Sequence, residues 1–321
     1  MKLKTSKIAK QSGRSIVELM IALTIGMVIL ISISSLFYAN KKTFRATDDK
    51  SRLDEEGRLA LNMLSFHIRM AGYGTLLSSL EKSEDDTTVP VKIQPAVYTS
   101  FGDSKGASVD AIRACAGGFV DPSKTLASLT CNVTTTGPDG FLVRYMVDKS
   151  AYNVSGSNVP TDCLGAAVLP VTVPSSGKDK GGVSTDEYLV ENRFYIKTTN
   201  GVPELYCQGN GGLTNPTDDL KPGQPIAENV ENMKLTYGVS YSGTQTIDRY
   251  LTANQLTSAD WQKVIAVQVC LVVRSATDNV ATAKQTYVDC DGTTSVTATD
   301  KRLRSVFKTT VTIRSRAVGA A

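Results

Sequence analysis

Residues 16 to 38, IVELMIALTIGMVILISISSLFY, hold 23 consecutive positions with one charged side chain, Glu18. As a helix rising 1.5 Å per residue, such a run is long enough to cross the ~30 Å apolar core of a bilayer. It stands near the start of the chain, so everything after it is expected on one side of a membrane, held by a single N-terminal anchor. The carboxylate is the discordant feature. A charged group at the centre of a membrane helix costs roughly 2.5–3.5 kcal/mol on insertion scales, and less near the interface. Either headgroup water hydrates Glu18, or a partner of opposite charge meets it.

Charge gives the expected topology. The first thirteen residues carry Lys2, Lys4, Lys7 and Lys10 and no acid, which keeps the N-terminus cytoplasmic by the positive-inside rule. Lys41, Lys42 and Arg45 follow the span and weaken that asymmetry without reversing it. A cleaved secretory signal is the competing reading, but the apolar run exceeds the usual length and no A-x-A site lies behind it. Without the four leader lysines the 35 basic residues become 31, equal to the 31 acidic ones. Net charge therefore makes no case for nucleic-acid binding.

No proline precedes Pro90, and residues 15 to 71 read as nearly continuous helix. Past the span the pattern turns amphipathic. Leu53, Gly57, Ala60, Leu64, Ile68 and Ala71 recur at three- and four-residue steps, and Leu59, Met63, Phe66 and Met70 form a flanking stripe. Together they predict a wide apolar face that a globular domain covers. Gly72 and Gly74 are placed to end the helix as C-caps. His67, the single histidine, falls between the stripes and is read as a packing or surface residue.

Beyond Gly74 the chain reads as strands and loops. Short β-rich runs fall at Val91–Tyr98, Ser108–Arg113, Phe141–Val147, Glu187–Thr198 and Leu205–Cys207, separated by Gly, Pro, Asn and Ser clusters. Residues 80–89 form a charged exposed loop, and 174–186 and 208–225 are long turn-rich loops. In the last third, residues 228–241 lead into a strand. Ile265, Val267, Val269, Leu271 and Val273 then share one face, with Gln268 and Cys270 on the other, and Phe307, Thr309, Val311 and Ile313 alternate with Val306, Lys308, Thr310, Thr312 and Arg314. The economical architecture is α+β, with the helix laid on an antiparallel sheet and long loops.

Six cysteines, Cys115, Cys131, Cys163, Cys207, Cys270 and Cys290, all lie beyond the anchor. An even number in an exported domain predicts disulfides, with fifteen formal pairings and buried free thiols as the alternative. Pairing of sequence neighbours, 115–131, 163–207 and 270–290, is the expectation. No C-x-x-C or histidine cluster offers a metal site, and no cofactor is expected. Asp289, Asp291 and Gly292 form a fragment of a calcium-loop pattern whose other ligands are missing, so a tight turn explains them equally well. No nucleophile and base can be assembled around one histidine, and an enzyme is not expected. Lys301, Arg302, Arg304, Lys308, Arg314 and Arg316 are the local basic cluster of the C-terminal region, read either as solvated edge-strand charge or as a contact for DNA or an acidic neighbour.

A short basic leader, Gly13, Arg14 and an apolar helix with Glu18 at its fifth position together resemble the leader of type IV pilins and pseudopilins. The helix ending Arg69, Met70, Ala71, Gly72 and Tyr73 resembles that of PilW-type minor pilins. So do four blocks in order, at 194–207, 227–239, 267–275 and 300–316. The resemblance implies a leader at 1–13, a pilin helix at 14–73 spanning the membrane at about 16–38, and a β-rich periplasmic domain at 74–321. It implies cleavage between Gly13 and Arg14 by a prepilin peptidase, N-methylation at Arg14, and a contact from Glu18 to the N-terminal amine of a neighbouring subunit. Arg14 departs from the family's usual Phe at that position, which puts methylation in doubt more than cleavage. The implied function is to help initiate and cap a type IV pilus. Implied partners are other minor pilins, the major pilin, the assembly platform and, as a further one, a tip adhesin. The protein would reside in the inner membrane and then in the pilus. The alternatives are a J-type pseudopilin of a type II secretion system and a membrane-anchored surface- or DNA-binding module.

Overall fold

The computed structural model describes residues 15–73, 111–148, 159–174, 183–215, 217–242, 245–292 and 295–317. Val91–Tyr98, the 80–89 loop and Gly74 lie outside them. The chain divides into two units, Met1–Asp49 and Lys50–Ala321.

The first helix, α1, runs Ile16–Met70. Ser15 caps its start, its hydroxyl accepting from the Val17 amide at 3.3 Å. In the first unit the large apolar side chains from Ile16 to Phe44 are bare. The hydroxyls there turn inward on their own helix: Thr24 donates to the Ile21 carbonyl at 2.9 Å and Ser32 to that of Val28 at 2.8 Å. Their polarity is thereby satisfied without a neighbour, as an apolar medium requires.

In the second unit Leu53, Gly57, Ala60, Leu64, Ile68 and Ala71 are all buried, so the three-and-four spacing marks the core face. Each fully buried leucine or isoleucine contributes about 1.5–3 kcal/mol. The flanking stripe is different. Leu59 and Phe66 remain 46% and 50% exposed, and Met63 and Met70 are only half-buried. A helix seated on sheets buries one arc, and this stripe lies beyond its edge.

Gly72 ends α1 with φ +70°, a left-handed conformation that glycine adopts without strain. Its amide leaves the helix ladder and donates to Arg144 O at 2.8 Å, while Ser315 Oγ donates to the Ala71 carbonyl at 2.8 Å. The end of the helix is thus tied to two distant parts of the chain.

Twelve strands follow among the described residues: β1 (Ile112–Cys115), β2 (Gly140–Asp148), β3 (Pro170–Pro174), β4 (Val183–Thr199), β5 (Val202–Gly209), β6 (Gln224–Glu228), β7 (Val230–Val239), β8 (Arg249–Leu251), β9 (Val264–Arg274), β10 (Thr286–Val288), β11 (Ser295–Thr297) and β12 (Arg304–Thr312). They form an antiparallel sheet in the order β1-β2-β4-β5-β6 with β3 beside β4, a second in the order β12-β9-β7-β8, and the hairpin β10-β11. One core joins α1 to both sheets, through Phe141, Phe194 and Leu205 of the first and Met233, Leu235, Val269 and Leu271 of the second. A smaller cluster of Phe119, Leu126 and Leu129 packs on Leu142 and Cys115.

Three sequence expectations are refined. The strand expected within 228–241 is preceded by β6, and the two belong to different sheets. Asn229 between them has φ +60° and switches the chain from one sheet to the other. The residues expected as loops at 174–186 and 208–225 include the ends of β3, β4 and β6. Ile265 is half-buried rather than aligned with Val267, because the pairing of β7 with β9 slips at Gly238/Val239 and Val264 enters the core instead.

Candidate functional site

The features that the sequence singled out fall into an exposed helix and a stapled domain. Glu18 sits in the first turn of α1 and is exposed, among bare neighbours Val17, Leu19 and Ile21. A carboxylate there complements the positive end of the helix dipole. Gly13 and Arg14 lie outside the described residues.

The six cysteines form three disulfides between sequence neighbours: Cys115–Cys131, Cys163–Cys207 and Cys270–Cys290. The first closes a 16-residue separation over one side of the first sheet, where Phe119 bridges to Cys131. The buried carboxylate of Asp139 then accepts from the Gly117 and Leu235 amides and from Lys234 Nζ at 3.0 Å. The second joins the segment before β3 to the core strand β5, beside Asn192, whose Oδ1 accepts from the Cys163 amide at 2.9 Å. The third ties β9 to the turn after β10. Chain-entropy arguments give each such crosslink about 3 kcal/mol.

That last turn holds the calcium-loop fragment. Gly292, at φ +73°, donates to the Asp289 carbonyl at 3.0 Å, and the Asp289 carboxylate accepts from the Cys290 amide at 2.6 Å. Among the described residues no group of three or more His, Cys, Asp or Glu side chains is arranged to hold a metal.

His67 is buried between α1 and the first sheet. Its Nδ1 lies 3.3 Å from Asn192 Nδ2, and its ring sits 5.1 Å from that of Phe194. Burial pushes its pKa down to about 4, so the imidazole is neutral and accepts from the amide. This is the packing role the sequence suggested.

The basic cluster is largely committed inward. Arg304 is buried and makes ion pairs with Glu231 at 2.7 Å and Asp300 at 2.6 Å. Hydrogen bonding from Arg304 lowers the Asp300 pKa to about 2. Arg302 donates to the carbonyls of Ser275 and Ala276, and Arg316 to those of Trp261 and Val264. Lys308 stays exposed on β12, an edge strand. Ion pairs such as Arg304 with Glu231 and Arg193 with Glu191 join residues whose partnership sequence spacing did not signal.

Residues 193–315 match the family described as type IV pilus-assembly protein W. They run from within β4 into α2 (Arg314–Ala317), and so contain the second sheet and all of the basic cluster except Arg316. No curated protein matches the chain. Among solved structures, a type IV-like pilin from Thermus thermophilus is similar, with 12% identity and a TM-score of 0.35 over 83% of this chain and 97% of that one.

Proposed function

We propose a role in initiating and capping a type IV pilus for this type IV pilin-like protein, whose residues 193–315 match the family of type IV pilus-assembly protein W. The observation that carries the reading is α1 itself. Its first half exposes an unbroken apolar surface to which Glu18 adds one carboxylate. A monomer in water does not leave such a surface bare, so a membrane or other subunits cover it.

In this reading the leader is cut between Gly13 and Arg14, and the new amine is methylated. Glu18 then pairs with the N-terminal amine of a neighbouring subunit. An ion pair removed from water is tolerable when both partners are present and strongly unfavourable when one is missing. Glu18 thereby selects axial register between subunits. Further along α1, Leu59 and Phe66 remain exposed, with Met63 and Met70 half-buried beside them, giving an apolar seam suited to a second helix. The disulfide-stapled domain would contact other minor pilins, the major pilin or a tip adhesin from the periplasmic side. Its role is structural rather than catalytic.

The test is the intact mass and N-terminal sequence of the protein purified from its own membrane. A chain beginning at Arg14 supports processing as a prepilin. A chain beginning at Met1, or cut after Ala39, sinks the reading. Neighbouring genes for a secretion system rather than a pilus would favour a J-type pseudopilin. Salt-dependent binding of DNA by the domain would favour the binding-module alternative.

A further inference from the structure

Three cations stand where the positive-inside rule predicts few. We propose that Lys41, Lys42 and Arg45, flanked by Phe37, Tyr38 and Phe44, bind the anionic headgroups of phospholipids at the surface where α1 leaves the apolar core of the bilayer. The inference rests on the membrane-anchor reading and adds a ligand class to it.

The helix places all six on one side. At 100° per residue they fall within an arc of about 160°. Phe37, Tyr38 and Phe44 are 69%, 74% and 74% exposed, and the cations are exposed beside them. Among the described residues none of the three cations makes an ion pair. Asp48 and Asp49 end the band one turn further on, so its charge of +3 is confined to Lys41–Arg45.

The remaining arc differs in kind. Ala39, Asn40, Thr43, Ala46 and Thr47 are small and uncharged, and two of their hydroxyls bond back to the helix, Thr43 to Ala39 O at 3.1 Å and Thr47 to Thr43 O at 3.0 Å. One side of this stretch is thus built for a charged, amphipathic boundary and the other is not.

Level along the axis fits the same ligand. If Ile16 to Tyr38 fills the apolar core, Lys41 and Lys42 lie about 5–6 Å beyond its edge, within the headgroup layer. Side chains of a helix lean toward its N-terminus, which here is the membrane side, so Arg45 reaches back toward the same layer. Aromatic rings at the boundary and cations just outside it are the groups that lipid headgroups recognise, and a basic residue near an anionic surface gains attraction that salt screens.

The test uses the full chain in a non-ionic detergent, offered equimolar phosphatidylglycerol and phosphatidylcholine, with retained lipid counted by native mass spectrometry. Wild type should prefer the anionic lipid by about fivefold or more. Lys41→Gln, Lys42→Gln and Arg45→Gln together should bring that preference close to parity. Lys221→Gln, Lys284→Gln and Lys301→Gln, which remove the same charge from the globular unit, should not. A variant with glutamine at Lys2, Lys4, Lys7 and Lys10 controls for lipid held by the leader, and the preference that depends on Lys41, Lys42 and Arg45 should persist in it. Parity in the wild type, or a preference that only the leader variant abolishes, overturns the inference. Alkaline extraction of membranes separates it from the anchor reading. Release of the chain overturns both, whereas retention with parity overturns the lipid site alone.

Discussion

Gly57 of α1 lies directly against the ring of Phe307 on β12, so close that a Cβ at position 57 would fall within contact of three ring carbons. The approach belongs to a longer seam in which helix and strand run alongside one another. Lys50 Nζ donates to Ser305 Oγ at 2.8 Å at one end, and Ser315 Oγ reaches Ala71 O at the other. Gly57→Ala should therefore destabilise the protein despite placing a better helix former there. Overpacking costs about 1–3 kcal/mol, against about 1 kcal/mol of helix propensity gained. Denaturant unfolding of the full chain in detergent measures this. In the double variant with Phe307→Leu the loss should be less than the sum of the two single losses, because the ring that clashes is gone. Strict additivity would show that the contact does not limit packing.

Asn229 carries a second prediction. Its φ of +60° separates β6 in the first sheet from β7 in the second, and its carbonyl accepts from the Arg274 amide at 2.9 Å. Asn229→Gly should leave stability within a few tenths of a kcal/mol. Asn229→Val, β-branched in a left-handed conformation, should cost about 1–2 kcal/mol. Equal melting temperatures for the two variants would count against this.

The long helix was legible because apolar spacing and the absence of proline are local signals. It was read as 15 to 71 and runs Ile16–Met70. The arc that meets the sheets was legible at Leu53, Ala60, Leu64 and Ile68, but not its width, since periodicity does not say where the opposing surface ends. That is why Leu59 and Phe66 were expected under cover and stand half-exposed. The alternating strands β9 and β12 announced themselves by period. The division into two sheets did not, because it depends on one backbone torsion at Asn229. Glu18 stood out in the sequence as the one charge in an apolar run, and it lies exposed in the first turn of α1. The pairing of Arg304 with Glu231 and Asp300 was not legible, since Glu231 lies 73 residues away and nothing in the spacing joins them.

His67 predicts a pH dependence. In the folded protein burial lowers its pKa to about 4 from the usual 6.5. Between those values the unfolded chain binds the proton and the folded one does not, so stability rises with pH across that window. The contribution is complete above about pH 6.5 and is lost as pH falls toward 4, on the order of 3 kcal/mol in all. Unfolding midpoints at pH 4.5 and 7 should differ for wild type, and His67→Gln should reduce that difference, the amide still able to accept from Asn192. An unchanged difference would place the acid sensitivity elsewhere.

Asp300 predicts a second dependence at lower pH. Arg304 bonds to both of its carboxylate oxygens, at 2.6 and 3.0 Å, and holds its pKa at about 2, below the usual 3.8. The lowered folded value means that its stabilisation is present above pH 3.8 and lost as pH falls through 2, amounting to about 2 kcal/mol at neutral pH. Asp300→Asn should cost about that much at pH 7 and little at pH 2, where the wild-type carboxyl is itself protonating. The same substitution leaves Arg304 with Glu231 as its remaining carboxylate partner, so Glu231→Gln in the Asp300→Asn background should cost more than Glu231→Gln alone, because the buried guanidinium then has neither. Denaturant midpoints for the four proteins at pH 7 decide it, and strictly additive losses would mean that the two carboxylates act on Arg304 independently.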